Sequence, residues 1–175
     1  MTRTARTART RDLPAEATRV SDQPATVTDQ RLVQRTLARW QDWRCGEEFP
    51  ERSNIVEEAF GEDWKDCFIL DCRADHPFPV FERIGSSLAT FSGIFLSGTS
   101  DWTQTLLDKA TSHVGEVMDT RDAVLIEEVL RRFDGERLAF RCILLPLSDD
   151  GVAITHVLGS VNGKLLDGSG KARRT

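Results

Sequence analysis

The residues with which this 175-residue chain could do chemistry are three histidines, four cysteines and a scatter of acidic pairs. Covalent catalysis needs a nucleophile beside an organised base. No G-x-S-x-G, H-E-x-x-H, phosphate loop or G-x-G-x-x-G string supplies one. Asp149 and Asp150 sit in Ser148-Asp149-Asp150-Gly151, where aspartate makes a turn rather than a reaction. Glu127 and Glu128 are neighbours on a strand and point to opposite faces. The same alternation separates Cys67 from Cys72, five residues on, so the two do not share a zinc ion. Cys67, Cys72 and Cys142 read as small buried hydrophobes, and Cys45, at an exposed helix end, is the one candidate for redox sensing. His113 falls within the apolar stripe of a helix, whereas His76, in Asp75-His76-Pro77, reads as a solvated turn residue. His156 shares a strand face with Ile154 and Leu158. Facing inward, it would line a cavity, hydrogen-bond a ligand and respond to modest pH change; facing outward, it is a sheet-surface residue. The residues describe no enzyme and no metal site.

Composition narrows the class further. Hydrophobic residues are 39% and charged residues 29% of the chain, ordinary for a globular domain. No run approaches the roughly 18 apolar residues of a membrane helix, and the N-terminus lacks a signal-peptide h-region. The expected setting is the cytoplasm, with thiols reduced. A formal net charge of −5 conceals a partition. Residues 1–28 carry an excess of arginine, led by Arg3, Arg6, Arg9 and Arg11, and residues 167–175 are basic too. The core between them is strongly acidic, which argues against nucleic acid as a specific ligand.

Those residues must be positioned by elements. Residues 1–28 hold too little apolar surface to offset the entropy of ordering, and read as a disordered basic arm. With no aromatics to stack bases, the arm fits a solubilising leader better than a contact with an acidic partner or nucleic acid. Thr28 or Asp29 caps a flanking helix over 29–46 whose stripe is Leu32, Val33, Leu37, Trp40 and Trp43. Strands are expected over 64–73 and 78–84, the second at an edge because of Pro79. A short helical piece follows at 88–91. A longer helix then starts at Ser100 or Asp101 and runs to Met118, burying Trp102, Leu106, Leu107, Ala110, Val114 and Met118. Three strand segments, 122–132, 136–147 and 152–161, close the domain, separated by Asp134-Gly135 and Ser148–Gly151 turns. The order gives an α+β domain.

Arg141 marks one face of the 136–147 strand as outward, together with Ala139, Ile143 and Leu145. Leu138, Phe140, Cys142 and Leu144 then face the helices, opposite Leu106, Ala110 and Val114.

These elements and certain strings together resemble a PAS domain, and in particular the alphaproteobacterial single-PAS family of PAS_5 type. The likeness covers about residues 33–162. It rests on Trp40, on Phe49-Pro50-Glu51-Arg52-Ser53-Asn54-Ile55, on Ile84-Gly85-Ser86, on Leu96-Ser97-Gly98, and above all on Leu145-Pro146-Leu147-Ser148-Asp149-Asp150-Gly151. Val56 stands where the family closes its stretch with proline, and Glu82 where an arginine is expected. The resemblance implies a five-stranded antiparallel sheet of order 2-1-5-4-3 with helices on one face, occupying residues 47–166 between the flanking helix and a basic tail over 167–175.

It also implies a sensor or interaction module rather than an enzyme. The chain leaves no room for an output domain, so a signal is expected to leave by contact with a kinase or regulator. The pocket candidates are Phe68, Leu70, Leu106, Ala110, His113, Val114, Phe140, Cys142 and His156, around a small apolar ligand or a filled core. No cofactor is expected; the alternative is a haem held by His113, as some PAS domains hold one on the corresponding helix. No NCRF-like string is present for flavin photochemistry. The outer face and the flanking helix each offer apolar surface, and a homodimer pairing Leu32, Leu37, Trp40 and Trp43 with Ile143 and Leu145 is favoured over packing within one chain.

Overall fold

The structure is a computed structural model describing residues 27–75, 78–91, 106–131 and 137–171. The basic arm up to residue 26, the His76-Pro77 turn, residues 92–105 with Leu96-Ser97-Gly98 and Trp102, the Asp134-Gly135 turn and residues 172–175 lie outside the described residues.

Helix α1 runs Val27–Trp43, two residues earlier at its start and three at its end than the sequence suggests. It ends because Cys45 and Gly46 both adopt positive φ, 47° and 96°, so the chain leaves the helix through left-handed backbone. Short helical turns at Arg52–Asn54, Glu57–Phe60 (α2) and Gly61–Asp66 lead into β1, Cys67–Asp71. The strand expected from Trp64 is therefore shorter, since residues 61–66 coil into a 3-10 helix. Strand β2 (Val80–Ile84) is followed by α3 (Ser86–Phe91), then α4 (Leu106–Thr111) and α5 (Val114–Thr120). Strands β3 (Val124–Arg131), β4 (Arg137–Leu147) and β5 (His156–Leu166) complete the fold.

Two further sequence expectations need correction. The long helix is broken at Ser112–His113, where the Thr111 and Ser112 hydroxyls donate to the Leu107 and Lys109 carbonyls and compete with the helical ladder. Met118 is consequently exposed, and Val117 is buried in its place. The last strand lies four to five residues later than expected. The Asp150 carboxylate accepts from the Val152 and Ala153 N–H groups and prolongs the turn, and pairing with β4 carries β5 past Asn162-Gly163 to Leu166.

All strand pairs are antiparallel, in the order β2-β1-β5-β4-β3. Alternation divides the core in two. Inside, Phe68 and Leu70 of β1, Leu138, Phe140, Cys142 and Leu144 of β4, and Val157 and Val161 of β5 meet Leu106, Ala110, Val114 and Val117. Outside, Cys67, Ile69, Ile143, Leu145, Leu147 and Leu158 meet Val33 and Trp40 of α1, with Phe49, Ile55 and Phe60. Arg141 marks the outer face of β4, as its charge suggests: it pairs with Glu127 across the β3–β4 ladder at 2.6 Å.

Candidate functional site

The inner face is a continuous apolar layer. Phe68, Leu70, Leu106, Ala110, Val114, Phe140 and Cys142 are all buried within one cluster. The Phe68 ring lies across Gly159, its partner in the β1–β5 ladder, and meets Phe81 edge-on at 5.6 Å. None of these side chains carries a charge, so the recognition this layer can offer is shape and hydrophobicity.

His113 does not belong to that layer. At the α4–α5 break it caps α5, partly exposed, with Nδ1 3.3 Å from Glu116 and Nε2 3.5 Å from Glu128. Glu128 is also bridged by Lys109 at 2.9 Å, which lowers its carboxyl pKa. Both imidazole nitrogens thus face carboxylates, and the His113 available to hold a haem in the sequence reading is turned to the wrong surroundings. The residues present do not fit that group.

His156 is also corrected. It opens β5 on the face shared with Leu158, the outer one, so it does not line the inner layer. It is nonetheless buried, at the sheet end where Asp71, Glu82 and Asp149 converge. Its Nε2 lies 3.5 Å from Glu82 and 4.0 Å from Asp71, and its Nδ1 lies 2.9 Å from the Thr155 hydroxyl and 3.6 Å from Asp149. Arg52 donates twice to Glu82, and Arg73 chelates Asp71 through side chain and backbone N–H. These guanidinium bonds hold both carboxyls below the usual carboxylate range. Hydroxyl, imidazole and carboxylate stand in sequence here, yet 4.0 Å is no hydrogen bond and Asp71 is committed to Arg73. The cluster is a fastening of β1, β2 and the β4–β5 turn rather than a catalytic triad. Sequence reasoning missed it because its members span residues 52 to 156 with no local spacing; Glu82 in place of arginine was the one visible sign.

Among the thiols, burial raises the Cys67 and Cys142 pKa far above the ordinary value and pushes Cys72 up to about 11. Cys45 alone is exposed. Among the described residues, no cluster of three or more His, Cys, Asp or Glu could hold a metal ion, and no helix is long and apolar enough to cross a membrane.

The outer face is organised around α1. The Trp40 indole N–H donates to the Pro146 carbonyl at 2.7 Å. β3 pairs with β4 no further than Leu144, so this bond occupies a carbonyl beyond the reach of β3. Arg39 donates to Asp63 at 2.8 Å, Arg35 joins it, and Trp43 packs on Phe60 with centroids 5.4 Å apart. Leu32 and Trp40 are buried and Leu37 and Trp43 half-buried, within a single chain, as are Ile143 and Leu145 beneath them.

Two of the strings that suggested a family, the Phe49–Ile55 and Leu145–Gly151 stretches, meet at this end of the sheet. Pro50 and Arg52 exchange backbone hydrogen bonds with Ser148, Arg121 lies over the Phe49 ring, and Ser148 anchors the Asp150 turn. The PAS_5 family, described as a PAS domain, matches residues 28–162. The chain belongs to the PAS family. No curated protein matches it. Among solved structures, this PAS domain is similar to a light-oxygen-voltage domain studied with a flavin analogue, at 16% identity over 64% of this chain and 84% of that one, TM-score 0.44. It is also similar to the blue-light photoreceptor Aureochrome1 LOV in its light and dark structures. Identities are 14% and 15%, each over 66% of this chain and 91% and 90% of those chains, with TM-scores of 0.42 and 0.43.

Proposed function

We propose that this PAS sensor domain is a non-enzymatic, cytoplasmic signalling module that regulates a partner protein by contact, under the influence of a small apolar ligand. One observation carries the reading: β4 belongs to both cores. Its Phe140, Cys142 and Leu144 line the inner layer, while Ile143, Leu145 and the Pro146 carbonyl hold α1 on the other side. A molecule that displaces inner side chains pushes on the strand to which α1 is tied, and native packing density transmits such a shift. Output through α1 to a kinase or regulator follows from that coupling.

Native mass spectrometry with an absorption spectrum, on protein purified from its own cell, tests the ligand. The expected result is a non-covalent adduct of a small apolar molecule, lost in Ala110→Trp, with no Soret band. A protein that stays bare in the presence of a cellular lipid extract has a filled core and refutes the ligand.

A homodimer is a second reading. Exchange of α1 between two chains would keep every Trp40 and Trp43 contact while linking the copies. Light scattering on the full chain distinguishes it from the single-chain packing.

A further inference from the structure

Helix α1 leaves one part of the outer face open. On β3, Leu125 and Val129 are outward and exposed, 56% and 52%, whereas Ile143, Leu145 and Leu158 on the same face of β4 and β5 are buried in the cluster that holds Val33 and Trp40 of α1. Around them the same face carries Arg131, Arg137 and Arg141, with Glu127 the one carboxylate among the described residues of β3 and β4 on that face. Arg131 and Arg137 face each other directly across the β3–β4 ladder. Like charges so placed are destabilising, and among the described residues neither has a carboxylate partner. This is a basic, partly apolar patch on a chain of net charge −5.

We propose that the open outer face of β3 and β4 is the docking surface for an acidic amphipathic helix of a partner protein. The proposal rests on the reading above that the output is a protein contact, and it gives that partner a chemistry. Charge complementarity selects the occupant. A second copy would bring the same cations, and the chain's own arm is rich in arginine. A flat bilayer would strike α1, which stands on the same face and is about 10 Å across, before reaching Val129. Nucleic acid would find no aromatic to stack on and an aliphatic centre. A helix beside α1 spans two strand spacings of about 4.8 Å, which is the width of β3 to β5. Its apolar stripe would cover Leu125 and Val129, and its carboxylates would relieve the Arg131–Arg137 opposition.

The test is photo-crosslinking of the full chain in its native cell, with p-benzoylphenylalanine replacing Val129 and, separately, the exposed Val152 of the β4–β5 turn. The expected product is an adduct from position 129 whose linked peptide has apolar residues at helical spacing and an excess of Asp and Glu. That adduct should fall at least tenfold in Arg131→Glu/Arg137→Glu and persist in Arg131→Lys/Arg137→Lys, with circular dichroism unchanged in both. The corresponding synthetic peptide should lose binding to the charge-reversed chain by a similar factor. Adducts to a second copy, to lipid or to nucleic acid, or adducts indifferent to charge reversal, overturn the proposal. Adducts from position 152 alone keep the partner and reject this surface; none from either position rejects both.

Discussion

Gly159 stands opposite Phe68 in the β1–β5 ladder, and a Cβ added to it would lie 2.1 Å from the Phe68 Cζ. The ring occupies the space that any other residue's side chain would need. Gly159→Ala should therefore displace the ring and cost about 1–3 kcal/mol by overpacking. Denaturant melts of Gly159→Ala, Phe68→Leu and the double variant should show that the two costs do not add, because the smaller side chain vacates the contested space.

Phe140→Ala should cost about 3–5 kcal/mol, since Phe140 is buried among Leu138, Leu144 and the α4–α5 layer. A loss below about 1 kcal/mol would mean that β4 presents its other face to the helices.

Trp40 contributes packing and a hydrogen bond, and the two can be separated. Trp40→Phe removes the donor to Pro146 and should cost about 1 kcal/mol plus a small packing loss. Trp40→Ala should cost about 3–5 kcal/mol and free α1 to rapid hydrogen exchange.

Acid should loosen the β4–β5 turn at a defined place. Backbone N–H groups of Ala153 and Val152 lower the Asp150 pKa to about 2. A carboxyl depressed in the folded state stabilises fully above its unfolded value of roughly 4 and loses that contribution as pH falls through 2. Carbon-detected NMR titration should place the Asp150 midpoint near 2, and Asp150→Asn should flatten the acid limb of the stability curve. Asp71 and Glu82, depressed by Arg73 and Arg52, act in the same direction.

Native thiol titration should find Cys45 reacting quickly while Cys67, Cys72 and Cys142 wait for unfolding, because burial keeps those three protonated.

The faces of β4 were legible because Arg141 breaks an otherwise apolar run and alternation does the rest. The stripe of α1 was legible for the same reason at helical spacing. The α4–α5 break was not, because Thr111 and Ser112 interrupt a helix without a proline to announce it, and the lone Gly115 is tolerated within α5. Nor was the reach of β5: Asn162-Gly163 reads as a turn until the opposing strand supplies partners as far as Arg137. Of the site, the apolar inner layer follows from pattern, whereas the setting of His156 depends on residues from three segments that only the folded sheet assembles.

The bond between Trp40 and Pro146 closes a loop of 106 residues. A chain synthesised from its N-terminus completes α1 while the strands it packs against are still unmade, and contacts so distant in sequence must meet their loop-closure cost before they stabilise the fold. Until β4 and β5 pair, the indole and its apolar neighbours face whatever surrounds the nascent chain. Docking of this helix therefore waits on the synthesis of β4, and until then its apolar stripe has no partner within the chain to shield it from aggregation.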